Sequence, residues 1–153
     1  MSERIDLAAV NATIRATVPQ NKALGLELTE ASYTPAVAVM RLPWNDALIG
    51  NPETRVLHGG VITTLIDACC GAAVYCKLKS TIPIATLDLR VDFMKPATPE
   101  RDVFARAECF HATHNVAFVR AVVFHGPGEA PIASAAGTFM VSTKSGAGTR
   151  SAP

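Results

Sequence analysis

Between Arg55 and Lys77 the chain carries one formal charge, Asp67, in a run that is otherwise apolar, small or hydroxyl-bearing: His58-Gly59-Gly60-Val61-Ile62-Thr63-Thr64-Leu65-Ile66-Asp67-Ala68-Cys69-Cys70-Gly71-Ala72-Ala73-Val74-Tyr75-Cys76. A stretch of this length and apolarity reads as a helix opened by two glycines and buried inside a domain, because a helix with no polar face has no side to offer to water. A buried, unpaired carboxylate is costly. Asp67 is therefore expected to reach a wet edge, to meet Arg or Lys from a strand, or to have a chemical task.

The start of the same helix adds a second feature. Gly59 and Gly60 allow close approach to the backbone, and the first N–H groups of a helix have no intrahelical partner. Together with the positive end of the helix dipole, they suit the negative charge that builds on a carbonyl oxygen during acyl transfer. The plainer alternative is a tight loop-to-helix turn. Gly59 and Asp67 are separated by about 12 Å along a straight helix at roughly 1.5 Å per residue. An attacking group and an oxyanion donor must each lie about 3 Å from the reacting carbon. If both residues take part, they come from different copies of the chain, and the sequence predicts a site shared across a dimer.

At 153 residues the chain is read as one domain, able to bury roughly 70% of the surface its unfolded form exposes. With 49% hydrophobic residues, 18% charged residues and a net charge of +1, it has no charge excess that would draw it to nucleic acid or to a membrane surface. The four cysteines, Cys69, Cys70, Cys76 and Cys109, form no CxxC pair. They read as small core residues in a reducing compartment and call for no metal. The opening Met1-Ser2-Glu3-Arg4-Ile5-Asp6 has no apolar signal core, which predicts a cytoplasmic protein.

Along the chain, apolar spacing predicts an amphipathic helix from Ile5 to Val18, ended by Pro19 and covering a sheet. Two strands follow, over Leu24 to Ala31 and Tyr33 to Leu42, and then an irregular loop from Trp44 to Leu57, with Trp44 expected as a packing residue under it. After the central helix, Leu87, Leu89, Val91 and Phe93 fall on one face of a strand and Asp88, Arg90 and Asp92 on the other. Strands over Asp102 to Phe110, Val116 to Phe124 and Pro131 to Ser142 are separated by turns at Thr113-His114-Asn115 and Gly126-Pro127-Gly128-Glu129. The order predicts an α+β domain over residues 1–142, an antiparallel sheet curled around the central helix and ending in a three-stranded meander, with a loose polar tail at 143–153.

Leu57-His58-Gly59-Gly60 running to Leu65-Ile66-Asp67, and Leu87-Asp88-Leu89-Arg90-Val91-Asp92-Phe93-Met94-Lys95-Pro96-Ala97, resemble the hotdog-fold acyl-CoA thioesterases, and among them the phenylacetate-pathway type. The resemblance covers about Leu24 to Val141. It implies a homodimer, often a homotetramer, that needs no cofactor. In it, Gly59 of one subunit polarises the thioester carbonyl, and Asp67 of its neighbour activates water or attacks directly. It further implies catalytic roles for Asn51 and Thr86 and substrate contacts at Gly60, Phe93, Thr113 and His114. Asn51 lies seven residues before His58 where six are expected, and Glu53-Thr54-Arg55 stands where the family carries a small Gly. Strict alternation puts Thr86 on the face of Asp88 and Arg90, so a bulge or the strand's end has to reorient it.

His58 is expected to position the loop rather than to exchange protons. His125 is expected in a solvated turn. Phosphate recognition falls to His114, Lys95, Arg90, Arg106 or Arg120 without ranking. The leading expectation is thioester hydrolysis. A hotdog protein that binds acyl-CoA without cleaving it is the alternative, kept open by the irregular Asn51 loop, and a hydratase or dehydratase ranks last for want of a His–carboxylate motif.

Overall fold

The computed structural model of the chain describes residues 4–141, so the tail expected at 143–153 lies outside the described residues. Helix α1 (Leu7–Thr17) is capped by Asp6, whose carboxylate accepts from Ala9 N. Pro19 does not end the helical region as expected. The turn breaks at Val18, and Pro19 opens a second short helix, α2 (Pro19–Leu24), where its missing N–H costs nothing. Gly25, at φ +67, ends α2 in the left-handed conformation, so the first strand starts later than read from sequence.

Strands β1 (Glu27–Tyr33) and β2 (Ala36–Leu42) form a hairpin. A 3-10 turn (Asp46–Leu48) then leads into a small ribbon of β3 (Ile49–Asn51) and β4 (Val56–Leu57), where the sequence had shown only an irregular loop. Helix α3 (Gly59–Leu78) follows, and then four strands: β5 (Ile84–Phe93), β6 (Val103–Ala112), β7 (Val116–Phe124) and β8 (Ala133–Val141).

All pairings are antiparallel, in the order β1-β2-β6-β7-β8-β5. Strands β6, β7 and β8 make the expected meander. Strand β5 does not join it at the near end; the chain crosses the sheet between β5 and β6, and β5 pairs with β8 at the far edge. The curved sheet holds α3 against β2 and β6. Its concave face is lined by Ala38, Ala105, Ala107, Ala117 and Ala121, which are small enough for the helix to lie close. Cys69 Sγ donates to Ala38 O at 3.4 Å and Ala105 O at 3.2 Å, across the whole helix–sheet gap.

The two sheet edges differ. On the outer side of β1, beside a register shift at Thr29, Asn11 of α1 takes both the N–H and the C=O of Leu28, accepting at 2.7 Å and donating at 2.8 Å. Asn11 is only 8% exposed and behaves as a one-residue strand that closes this edge. Strand β5 has no strand beyond it among the described residues. Asn11→Ala removes both bonds and leaves the Leu28 peptide groups facing a helix that cannot satisfy them. It is expected to lower stability by about 1–3 kcal/mol in urea titrations, with activity per folded molecule unchanged.

Candidate active site

Helix α3 and strand β5 run past each other in opposite senses, so successive residues of one meet receding residues of the other. Near one end, Thr86 donates from Oγ1 to Asp67 Oδ1 at 2.7 Å, and Ile84 packs on Gly71. At the other, the Phe93 ring lies against Gly59. This arrangement depends on a bulge in β5 between Thr86 and Asp88. Thr86 pairs with Phe139 and Leu89 with Gly137, both inward residues of β8. Thr86 therefore points inward together with Leu89, Val91 and Phe93, and Leu87 is expelled. Leu87 is 51% exposed; strict alternation had placed it on the inner face, and the extra residue of the bulge is what displaces it. Gly137 supplies the room, since a Cβ there would sit 3.2 Å from Asp88 O and 3.1 Å from the Leu89 side chain.

Asp67 is half-buried. It reaches the partly wet edge that was one expectation for it, its observed partner there is a hydroxyl rather than an Arg or Lys, and that bond fixes one oxygen and orients the carboxylate.

At the helix start, His58 is the N-cap, and its Nδ1 accepts the Gly60 N–H at 2.9 Å. Val61 N–H donates to His58 O at 3.0 Å. The Gly59 N–H precedes both and has no acceptor among the described residues. His58 thus acts as a cap at Nδ1, and Gly60, expected to contact substrate, has its N–H occupied by the histidine.

Asn51 uses its carbonyl oxygen within its own turn, accepting from Glu53 N at 2.9 Å and Thr54 N at 3.4 Å. Only its amide nitrogen remains for a substrate. The family's missing small Gly has a counterpart in conformation: Arg55 stands there with φ +58, the left-handed geometry that glycine adopts freely. Gly50, on the other side of Asn51, was legible in the sequence only as a turn former. A Cβ there would lie 2.8 Å from His58 Cα, so only glycine lets the ribbon pack on the cap. Trp44 packs as expected, with Nε1 donating to Asp46.

The Thr113–Asn115 turn stands apart from the Gly59 end. Thr113 spends its hydroxyl on the turn itself, bonding Val116 O at 3.1 Å and Val116 N at 3.0 Å. Across the sheet Phe93 is level with Ala133, whereas Val116 is level with Met140. The turn and Gly59 are thus separated by most of the strand length, roughly 20–25 Å at about 3.3 Å per residue. In one chain, Thr113 and His114 share an end of the sheet with Asp67 and Thr86 and not with Gly59. Among the phosphate candidates, Arg90 pairs with Asp92 and Arg120 with Glu108, both at the surface.

His125 corrects another expectation. It is 6% exposed, with Nε2 accepting from Thr98 N at 2.8 Å and Nδ1 at 2.8 Å from Asp102 O. Both nitrogens tie the β5–β6 crossing to the end of β7, and no periodicity in the sequence signals it. A cavity of about 590 Å³ beside β1, lined among others by Leu7, Tyr33, Thr34 and Lys79, shares no residue with either end of the α3–β5 seam.

Residues 55–132 match the family described as the Thioesterase superfamily. The chain belongs to that superfamily. The curved antiparallel sheet around one long helix is its hotdog fold. Among curated relatives, the medium/long-chain acyl-CoA thioesterase YigI of Salmonella typhimurium is 33% identical over 140 residues, covering 81% of this chain and 86% of its own. Among solved structures, a Pseudomonas aeruginosa protein is 40% identical with a TM-score of 0.77, covering 89% of this chain and 98% of that one. The phenylacetic acid degradation protein PaaI of Thermus thermophilus, at 24% identity and TM-score 0.68 over 80% of this chain and 97% of its own, shares the fold.

A thiolate nucleophile has no place in this thioesterase. All four cysteines are buried, and burial pushes the Cys69 thiol up to about 12 and that of Cys70 higher still. Because the folded value lies above the ordinary 9.0, the stability that the protonated Cys69 contributes is complete below that value and is lost as pH rises towards about 12. The expected result with a thiol reagent at mildly alkaline pH is no labelling of the native protein and labelling of all four cysteines in guanidinium.

Proposed function

We propose that the chain hydrolyses acyl-CoA thioesters to free acid and CoA at sites built from Asp67 of one subunit and Gly59 of the partner subunit. The observation that carries this reading is the open Gly59 N–H at one end of the α3–β5 seam and the hydroxyl-oriented Asp67 at the other. On one rigid helix they are about 12 Å apart, too far for one carbonyl.

The open edge supports a way to join them. When two β5 strands pair antiparallel about their midpoint, the Ile84–Thr86 end of one lies opposite the Val91–Phe93 end of the other. Asp67 with Thr86 then neighbours Phe93 with Gly59, twice per dimer. Phe93 and Met94, 50% and 56% exposed in one chain, become covered apolar surface in that assembly. Further pairing into a tetramer is compatible with the same interface. The Thr113–His114 turn would likewise reach a Gly59 only through the partner.

At such a site the Gly59 N–H stabilises the oxyanion, aided by the helix dipole. Thr86 holds one oxygen of Asp67, and the other attacks the thioester carbon or takes a proton from water that does so. Either route breaks the C–S bond and releases CoA as a thiolate, a good leaving group that needs no dedicated acid; on the direct route a water then cleaves the acyl–Asp67 anhydride, freeing the acid and restoring the carboxylate. The name of the YigI relative supports a medium or long acyl chain as the substrate class, and the cytoplasm is the compartment that fits four free cysteines. The name of that relative favours hydrolysis over the binding-only alternative.

Gly59→Pro tests the donor with little disturbance. Proline is well tolerated at the first position of a helix, and His58 before it already has the extended φ −63, ψ 131 that a following proline requires. The variant exchanges the N–H for a ring whose Cβ meets Phe93 at an ordinary 3.5 Å, and it is expected to keep its fold while kcat drops about 10²–10³-fold. Asp67→Asn should abolish turnover of a medium-chain acyl-CoA, and Thr86→Val should cost about tenfold or more, with Thr86→Ser largely active. Full activity in Asp67→Asn would refute the assignment.

A further inference from the structure

The loop before α3 contains an arrangement that folding stability does not explain. Arg55 occupies a left-handed conformation, φ +58, that disfavours every residue with a side chain except in small part Asn and Asp. Its guanidinium is nevertheless held at three places: Nη1 donates to Glu100 Oε1 at 2.7 Å, Nη2 donates to Asp46 Oδ1 at 3.0 Å, and the group lies 6.0 Å from the centre of the Trp44 ring. Asp46 also accepts from Trp44 Nε1 at 3.0 Å, and Glu100 itself has φ +60. The carboxylates are 73% and 66% exposed, and ion pairs so open to water add little to stability. Strained backbone held by contacts of low stability value is characteristic of a segment kept for its geometry.

What Arg55 holds is the ribbon that carries the helix cap. Arg55 N–H donates to Asn51 O at 2.7 Å and closes the ribbon's turn. In the ribbon, Gly50 lies against the His58 backbone, and His58 N–H donates to Leu48 O at 2.9 Å. His58 in turn fixes the Gly60 N–H, and its own carbonyl, which shares a peptide with the Gly59 N–H, accepts from Val61 N–H at 3.0 Å. We propose that Arg55 is a positioning residue: by tying the ribbon to Asp46, Trp44 and Glu100, it holds Gly50 against His58 and so aims the Gly59 N–H. The inference rests on the reading of Gly59 as the carbonyl donor.

Two variants separate aim from stability. Arg55→Gly relieves the left-handed strain and removes the guanidinium. Asp46→Asn with Glu100→Gln leaves Arg55 in place and removes the charges that hold it. Both are expected to lower kcat on a medium-chain acyl-CoA by about tenfold, with KM within about twofold, because a donor displaced by a fraction of an ångström loses transition-state contact without losing substrate. The melting temperature of Arg55→Gly should stay within about 2 °C of wild type or rise.

Wild-type kcat in Arg55→Gly would overturn the proposal. So would a loss of kcat that follows a fall in melting temperature and disappears in assays run well below it. Asp67→Asn and Gly59→Pro run alongside keep the two claims apart: if both are inactive while Arg55→Gly matches wild type, the site stands and the clamp is wrong. Undiminished turnover in Gly59→Pro removes the donor on which the clamp acts.

Discussion

A 20-residue helix whose charges are Asp67 near its middle and Lys77 in its last turn has to be enclosed, and most of the structure follows from enclosing it. The sheet curls around α3, alanines line the concave face so that the helix can lie close, and the Cys69 thiol bridges the remaining gap with weak hydrogen bonds. Enclosure leaves one seam, between α3 and the edge strand β5. Both chemical features of the helix, its first N–H and its only carboxylate, open onto that seam. Because an α-helix is rigid over this distance, the two cannot converge on one carbon within one chain, and the proposed function has a second chain pair along β5 to bring them together.

The contrast between the edges gives this direction. Strand β1 is closed by a single asparagine side chain that satisfies both exposed groups of Leu28. Strand β5 has no strand beyond it among the described residues and carries Leu87 and Phe93, with Met94 just after it, at the surface. One sheet edge is thus partly covered by its own chain at Leu28, whereas the other carries exposed apolar side chains.

The long helix, the alternation of Val103, Ala105, Ala107 and Cys109, and the hairpin turns could be read directly from residue spacing, since each rests on local periodicity. Asp67 and Gly59 were legible for the same reason, one as a lone charge and the other as a glycine at a helix start. What escaped lies below or beyond the period. The bulge at Leu87 shifts half a strand by one residue, and only the family resemblance raised the question of Thr86. The positions of β5 at the far edge, of Asn11 on Leu28 and of His125 between Thr98 and Asp102 depend on partners 17 to 27 residues away or on a sheet crossing. Arg55 looked like a departure from the family pattern because residue type was visible and φ was not.

The measurement that bears most directly on a site shared between subunits is complementation. Gly59→Pro and Asp67→Asn chains, each inactive alone, are mixed in equal amounts, unfolded and refolded together. In a mixed dimer one site receives both lesions and the other receives neither, so random pairing is predicted to restore about a quarter of wild-type activity. If the mixture stays as inactive as its components while mass spectrometry shows mixed dimers, the two residues act within one chain or not together, and the account of a site spanning two copies is wrong.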